Sequence, residues 1–208
     1  MKHLAILGAG GHGKVAADIA EQLGWGVHFF DAAYPEVKYC GVWDVVGDEK
    51  SLTEHARKYD AIFIAIGNND IRAIKQKQYT DNGFKITSLI SPHATISDYV
   101  DIGLGVLIAA NACINVGSNI GDGVIINTGA NIDHDNHIGA YSHISPGVSL
   151  AGEVRIGSQC WIGIGSSIIH RINVADNVMV GAGAVIVNDI PSNVTVVGCP
   201  ARIVRKNQ

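Results

Sequence analysis

An aliphatic residue occupies every sixth position of this chain from Ile90 to Ile186, and no insertion interrupts the series. If each of these 17 positions had only the chain-wide 47% chance of being apolar, an unbroken series would arise about three times in a million trials. The series consists of Ile90, Ile96, Ile102, Ile108, Ile114, Ile120, Ile126, Ile132, Ile138, Ile144, Leu150, Ile156, Ile162, Ile168, Val174, Val180 and Ile186. The chain therefore contains an internal hexapeptide repeat, and this repeat constrains the fold more than any other feature.

The repeat predicts a parallel β-helix. The residue four positions after each aliphatic is small or apolar from Ala94 to Ala130, so two residues in each hexad can point inward, and Asn136 is the one odd member of that series. Three short strands would form one triangular coil, so eighteen residues advance the chain by one coil, about 4.8 Å along the axis. Residues eighteen apart are therefore expected to stack.

The first 83 residues predict a different fold, a small α/β domain with parallel strands. Apolar runs typical of buried strands alternate with helical patterns. The predicted strands cover residues 3–7, 27–31 and 61–67, and the predicted helices cover residues 14–24 and a segment that begins at a capping box of Ser51 and Glu54 and ends near Tyr59. The predicted organisation is a half-Rossmann α/β domain over residues 1–83, followed by a β-helix over residues 84–208.

The composition narrows the classes of function. The 208 residues are 47% hydrophobic and 16% charged, which is typical of a globular protein. A formal net charge of -4 argues against a general nucleic-acid or anionic-membrane binder. No apolar run approaches the ~18 residues of a membrane span, and the opening run is too short for a signal sequence, so we expect a cytoplasmic protein. The four cysteines lack CxxC spacing and predict neither disulfides nor a thiolate zinc site.

One histidine of the segment IDHDNHIGAYSH has stacked neighbours that suggest chemistry. His134, Gly152 and His170 are spaced eighteen apart, so a backbone N–H is expected one coil above the His134 ring. A base beside an exposed N–H is suited to acyl transfer. Asp135 follows directly and could fix the tautomer of the imidazole by a hydrogen bond. His134 is therefore the candidate general base.

Two other interpretations of these histidines stay open. Each of the three histidines taken alone is typical of a solvated surface residue, and His137 is predicted to be one. A zinc site is the second alternative. However, His137 and His143 precede aliphatic residues that are expected on different faces of the triangular prism formed by the stacked coils. Such a site would need a ligand from a neighbouring subunit, so no metal is expected.

The glycines of the first domain predict a phosphate site. Gly8, Gly10 and Gly13 satisfy GxGxxG between a strand and a helix expected to begin near Lys14, and Asp31 ends the second strand. Glycines let backbone amides approach phosphates at a helix N-terminus. NAD is the obvious rival ligand, but a dinucleotide fold needs two halves and this domain supplies one, which favours a mononucleotide diphosphate. Tight turns without a ligand are the alternative.

Four motifs are distributed over nearly the whole chain: GAGGHG, IAIGNNDIR, INTGANIDHD and the closing GCPAR. Together they resemble the hexapeptide-repeat sugar acetyltransferases, which include UDP-4-amino-sugar N-acetyltransferases of the bacillosamine pathway and sialic acid O-acetyltransferases. The resemblance implies that the β-helix is left-handed, that the protein is a homotrimer, and that acetyl-CoA is the co-substrate of a reaction that needs no metal.

The resemblance also implies roles for single residues. The histidine before an acidic residue is the proton acceptor of this family, which falls on His134 with Asp135 as its partner, although the bacillosamine enzymes carry Glu beside the histidine. The implied acetyl-CoA contacts are His143, Gly152, Ile164 and Ala182. The implied contacts to a UDP-linked sugar are Gly10, Gly11, His12, Asp31, Gly67 and Asn68. Arg72 could pair with a phosphate or be solvated.

The predicted reaction is acetyl transfer from acetyl-CoA to the 4-amino group of a UDP-linked 4-amino-4,6-dideoxy sugar. The α/β domain would bind the nucleotide sugar, and the β-helix would bind acetyl-CoA in a groove between subunits. Three alternatives stay open: O-acetylation of a sialic acid, a metal-dependent β-helix hydratase, and a non-catalytic β-helix that binds a nucleotide or a partner.

Overall fold

The computed structural model describes residues 1–207. The chain separates into two compact units, Met1–Pro92 and His93–Gln208. The predicted boundary after residue 83 follows the last helix of the first unit, and residues 84–92 group with that unit. No helix within residues 1–207 is both long enough and apolar enough to cross a membrane.

The first unit is an α/β sandwich built on a five-stranded sheet. Its elements are β1 (Lys2–Leu7), α1 (Gly11–Gln22), β2 (Trp25–Phe30), β3 (Tyr39–Cys40), β4 (Trp43–Gly47), α2 (Glu49–His55), a 3-10 turn (Ala56–Lys58), β5 (Ala61–Ile64), α3 (Asn69–Asp81) and β6 (Leu89–Ile90). The sheet order is β3-β4-β2-β1-β5, in which β4, β2, β1 and β5 run parallel and β3 pairs antiparallel with β4.

The central strands are buried on both faces, as their continuous apolar sequences predict. All four residues of β5 and the last four of β1 are buried. Two predictions about helices are wrong in detail. Helix α1 begins at Gly11, three residues before the predicted start, and α2 is capped by Asp48, whose side chain accepts from the Ser51 N–H. The predicted cap Ser51 lies inside the helix because a carboxylate three residues earlier already caps it.

The second unit is a parallel β-helix of two-residue strands as far as residue 186, and it ends in two longer strands that pair antiparallel with each other. Its strands are β7 (Thr95–Ile96), β8 (Asp101–Ile102), β9 (Leu107–Ile108), β10 (Cys113–Ile114), β11 (Asn119–Ile120), β12 (Ile125–Ile126), β13 (Asn131–Ile132), β14 (His137–Ile138), β15 (His143–Ile144), β16 (Ser149–Leu150), β17 (Arg155–Ile156), β18 (Trp161–Ile162), β19 (Ser167–Ile168), β20 (Asn173–Val174), β21 (Met179–Val180), β22 (Val185–Ile186), β23 (Val194–Val197) and β24 (Arg202–Lys206). Pairs among β7 to β22 join strands eighteen residues apart in register, for example Ile114 with Ile132, whereas β21 pairs with β23 sixteen residues later.

These strands form three faces. The first face contains β7, β10, β13, β16, β19 and β22, and the second contains β8, β11, β14, β17 and β20. The third contains β9, β12, β15, β18, β21, β23 and β24. The repeated aliphatic residues from Ile108 to Ile186 are buried, which confirms the inward position that the period predicts. The turns between faces therefore fall at fixed positions and stack from coil to coil.

Candidate active site

The candidate general base lies in a turn at the corner between the first and second faces. Residues 133–136, here called the base turn, connect β13 to β14, and residues 151–154, the amide turn, connect β16 to β17 one coil later. The Glu153 N–H donates to the His134 carbonyl oxygen at 3.0 Å, so the two turns stack directly. The predicted eighteen-residue stacking of His134 and Gly152 is the observed arrangement.

The imidazole of His134 lies directly against Gly152. A Cβ atom at position 152 would come within 2.5 Å of both Cε1 and Nε2 of His134, so only glycine fits beneath the ring in this position. Within residues 1–207 no atom accepts a hydrogen bond from the Gly152 N–H. The His134 ring thus lies against the backbone of a residue whose N–H the fold does not use.

Asp135 holds the other nitrogen of the ring. The Nδ1 atom of His134 lies 2.7 Å from Oδ2 of Asp135, and because a carboxylate only accepts, Nδ1 carries the proton. The lone pair is then on Nε2. The hydrogen bond that His134 donates to Asp135 raises the pKa of His134, and the nearby carboxylates of Asp133 and Glu153 act in the same direction against partial desolvation. The imidazole is thus a strengthened base with 49% of its side chain exposed.

Asp133 stabilises the base turn through two hydrogen bonds. Its carboxylate accepts from the Asn115 side-chain amide at 3.0 Å and from the His134 N–H at 2.9 Å. These two hydrogen bonds lower the pKa of Asp133. The backbone of His134 is therefore fixed by a residue for which the sequence indicated no partner.

The predicted acetyl-CoA contacts are separated within one chain: Gly152 lies at the corner of His134, and the other three lie on or beside the third face. Gly152 is with His134, whereas His143 lies on the third face, 7% exposed, with its ring 4.3 Å from that of Trp161. Its Nε2 is 3.1 Å from the Asn127 side-chain nitrogen. Ile164 and Ala182 are exposed in turns at the corner between the third and first faces, and the Gly183 N–H bonds to the Ile164 carbonyl. One chain does not bring these residues to His134.

The metal alternative has no support from clustering. His137 is exposed on the second face, on β14, while His143 is buried on the third face. Within residues 1–207 no group of three or more His, Cys, Asp or Glu side chains could hold a metal ion.

In the first unit, the glycine turn opens helix α1. Gly10 is the N-cap of α1 in an extended conformation, and a Cβ at Gly10 or Gly11 would meet no atom within 4 Å. His12 lies in the first helical turn, and its Nε2 is buried without a hydrogen-bond partner. Burial, and then the charge of Arg72, lower the pKa of His12 to about 4, so the ring is neutral at pH 7. An open amide cradle thus stands beside a neutral, unpartnered imidazole nitrogen.

The other predicted substrate residues line the same edge of the sheet, at the carboxyl ends of β2 and β5. Asp31 is already bound to the backbone, because its carboxylate accepts from the Ala9 N–H at 2.7 Å and the Ala33 N–H at 2.9 Å. Asn68 caps α3 by accepting from the Ile71 N–H at 3.0 Å. These bonds shape the loops, and the carboxyl edge of parallel strands is the usual place for a ligand.

Arg72 departs from both sequence-based alternatives. It is 1% exposed, and its guanidinium donates to the carbonyl oxygens of Ile66 and Gly67 and to the Asn69 side chain. It therefore neither reaches outward to a phosphate nor is solvated. Its bonds fix the loop that carries Gly67.

Comparisons with known proteins show the family. The family described as the PglD N-terminal domain matches residues 3–79. The acetyltransferase domain of PglB from Neisseria gonorrhoeae FA1090, in complex with acetyl coenzyme A, is 41% identical over 98% of this chain and 99% of that chain, with a TM-score of 0.94. PerB from Caulobacter crescentus, in complex with CoA and GDP-perosamine, is 36% identical over 99% and 98%, with a TM-score of 0.93. The chain belongs to the hexapeptide-repeat sugar N-acetyltransferases.

WeeI from Acinetobacter baumannii AYE also matches, at 27% identity over 98% of this chain and 100% of that chain, with a TM-score of 0.88. Together with the strand topology, the matches confirm the predicted fold class of this N-acetyltransferase. It is a half-Rossmann α/β domain followed by a left-handed parallel β-helix.

The structure of the acetyltransferase adds a groove that the sequence reasoning missed. It has a volume of about 480 Å³ and is lined by Asp135, Glu153, Arg155, Arg171, Ile172 and Asn173. Glu153 and Arg171 form an ion pair at 2.9 Å. Both are eighteen-residue neighbours along the corner of Asp135, so the repeat could have revealed the stack. The repeat does not indicate which side chains of this stack contact one another.

Proposed function

We propose that the chain transfers the acetyl group of acetyl-CoA to the 4-amino group of a UDP-linked 4-amino-4,6-dideoxy sugar. The observation that carries this proposal is the constellation of His134, Asp135 and Gly152. It combines a general base with a fixed tautomer and an uncommitted N–H beside it, which are the two groups that acyl transfer requires.

The amine nitrogen attacks the thioester carbonyl carbon, and the carbonyl oxygen becomes an oxyanion. Nε2 of His134 takes the proton that the nitrogen loses, and Asp135 stabilises the resulting imidazolium. The Gly152 N–H donates to the oxyanion. When the carbon–sulfur bond breaks, the CoA thiolate leaves and takes the proton from His134, which returns the base to its neutral form.

Acetyl-CoA would be held between two copies of the chain in a homotrimer. This is supported by the separation, within one chain, of Gly152 from His143 and from the corner of Ile164 and Ala182. A groove shared by neighbouring copies would unite the two sets. Trp161, which is half-buried on the third face, would be covered by the same contact.

The nucleotide would bind in the first unit. The diphosphate would accept from the amides of Gly10 and Gly11 at the N-terminus of α1, where the helix dipole favours an anion. The unpartnered Nε2 of His12 would bond to the same ligand. Gly67 and Asn68 would border the sugar, and Asp31 would contribute mainly by holding Ala9.

A GDP-linked amino sugar is the second candidate, because PerB, which matches nearly the whole chain, was solved with GDP-perosamine. Variants of that enzyme with one histidine replaced by Asn or Ala were also solved with CoA and GDP-perosamine. The two candidates share the reaction and differ in the nucleotide.

A thiol-release assay with acetyl-CoA distinguishes these candidates. UDP- and GDP-linked 4-amino sugars are compared with free and CMP-linked sialic acids, and we expect turnover with the UDP-linked amino sugar. His134→Ala should lower kcat by roughly 10²- to 10⁴-fold while UDP-sugar binding survives. His137→Ala, on the neighbouring strand, is the matched control and should change little. Near-normal kcat in His134→Ala with intact binding would refute the catalytic assignment.

A further inference from the structure

Asn136 is a buried side chain that connects the two turns of the candidate active site. It is 1% exposed and points into the prism. Its Nδ2 donates to the carbonyl oxygens of Asp133 at 2.7 Å, His134 at 3.3 Å and Ala151 at 3.0 Å. Its Oδ1 accepts from the Val154 N–H at 3.1 Å. One amide group thus bonds to both the base turn and the amide turn.

We infer that Asn136 is a positioning residue that orients and polarises the peptide group carrying the Gly152 N–H. The carbonyl that accepts from Asn136 belongs to Ala151, and the same peptide plane carries the Gly152 N–H. This inference rests on the proposed acetyl transfer, in which that N–H stabilises the oxyanion.

The orientation follows from the geometry of a trans peptide. Only Tyr34–Pro35 and Cys199–Pro200 are cis within residues 1–207, so the Ala151–Gly152 peptide is trans. In a trans peptide the C=O and N–H bonds point in opposite directions. Since Asn136 holds the Ala151 oxygen towards the interior of the prism, the Gly152 N–H is directed away from the interior.

Polarisation follows from the same hydrogen bond. A carbonyl that accepts a hydrogen bond makes the N–H of its own peptide a stronger donor, and the effect is greater in a buried environment. The Asn136 side chain is buried, and its bond to Ala151 is partly shielded from solvent. The hydrogen bond from Asn136 to the Ala151 carbonyl therefore both fixes the direction of the Gly152 N–H and makes it a stronger donor to an oxyanion.

The same hexad position at the next corner, between the second and third faces, shows what the fold alone requires of this inward residue. Ser142 makes the equivalent connection between coils, donating to the Gly157 carbonyl at 2.7 Å and accepting from the Cys160 N–H at 2.9 Å. Those partners are fifteen and eighteen residues later, as Ala151 and Val154 are for Asn136. A serine at this position is therefore sufficient to link two coils. The longer Asn136 side chain makes two additional bonds, to the carbonyl oxygens of Asp133 and His134.

The test compares Asn136→Ala, Asn136→Ser and the matched control Ser142→Ala in the full-length protein. Both alanine variants lose one interior link between coils, so each is expected to lower Tm by several degrees. Only Asn136→Ala should also lower kcat, by about 10- to 100-fold, because a displaced donor is less damaging than the roughly 10²- to 10³-fold loss from deleting one. The KM for acetyl-CoA should stay nearly constant. Asn136→Ser, which can still bond to Ala151 and Val154, should recover most of kcat.

A measurement without substrate separates this inference from the proposed function. In ¹H–¹⁵N spectra the Gly152 amide resonance should move upfield in Asn136→Ala, return in Asn136→Ser and stay in place in Ser142→Ala. A Gly152 resonance unchanged by Asn136→Ala would overturn the inference, as would a kcat equal to that of Ser142→Ala. Absence of thiol release by the unaltered protein with every nucleotide-linked amino sugar would instead overturn the proposed function, and the Gly152 resonance would still decide whether Asn136 controls that peptide.

Discussion

Replacement of Gly152 by alanine is expected to remove most turnover while the β-helix stays folded. Gly152 does not adopt the left-handed backbone conformation, so alanine is compatible with its backbone. The added Cβ would lie 2.5 Å from Cε1 and Nε2 of His134, whereas ordinary contact begins near 3.4 Å. The ring must therefore retreat by about 1 Å, and it can do so because 49% of the His134 side chain is exposed.

That retreat stretches the 2.7 Å contact between His134 and Asp135 and moves Nε2 away from the Gly152 N–H. A misplacement of about 1 Å near the reacting atoms can lower a rate by roughly 100-fold, so we expect kcat of Gly152→Ala to fall by about two orders of magnitude. The change in Tm should stay within about 3 °C, because the displaced side chain moves into solvent.

Initial rates of thiol release and thermal unfolding measure both quantities on the same samples. In a His134→Ala background the clash is gone, so adding Gly152→Ala should lower kcat only slightly further. Normal kcat in the single variant, or losses that multiply fully in the double variant, would refute the idea that the glycine serves the imidazole.

The remaining predictions concern other parts of the proposed reaction. His134 accepts a proton only when it is neutral, so activity should be lost as pH falls through its raised pKa. Asp135→Asn removes the main cause of that rise. The acidic limb of the kcat/KM profile should therefore move to lower pH, and the plateau should be lower. Because the pKa of His12 is about 4 in the folded state and about 6.5 when unfolded, the stability it contributes is present above pH 6.5 and is lost as pH falls towards 4. His12→Phe should flatten that part of the Tm profile and weaken UDP binding in calorimetry, and an unchanged affinity would remove His12 from the nucleotide site. His143→Ala should raise the KM for acetyl-CoA while calorimetric UDP binding stays unchanged, and an unaltered KM would count against its role.

Much of the candidate site could be predicted because the β-helix is nearly one-dimensional. In a repeat without insertions, position in the sequence gives position on the prism, so the eighteen-residue spacing of His134 and Gly152 already predicted that they stack. The contact of Asp135 with Nδ1 followed from adjacency. The two-stranded hairpin β3–β4 was missed because its strands are short and buried residues are mixed with exposed ones, so no continuous apolar run marks it.

The sequence by itself determined the periodic part of this protein: the hexad period, the inward residues, the stacking of the two turns and the division into an α/β domain and a β-helix. Only the tertiary structure decided where side chains that break the pattern make their bonds. Arg72 is buried against loop carbonyls, and Asn136 joins the base turn to the amide turn from inside. The physical reason is that a period fixes the backbone path and the direction of each side chain, whereas a polar group inside the fold is placed by whichever donors and acceptors it meets there, and these come from residues distant in sequence.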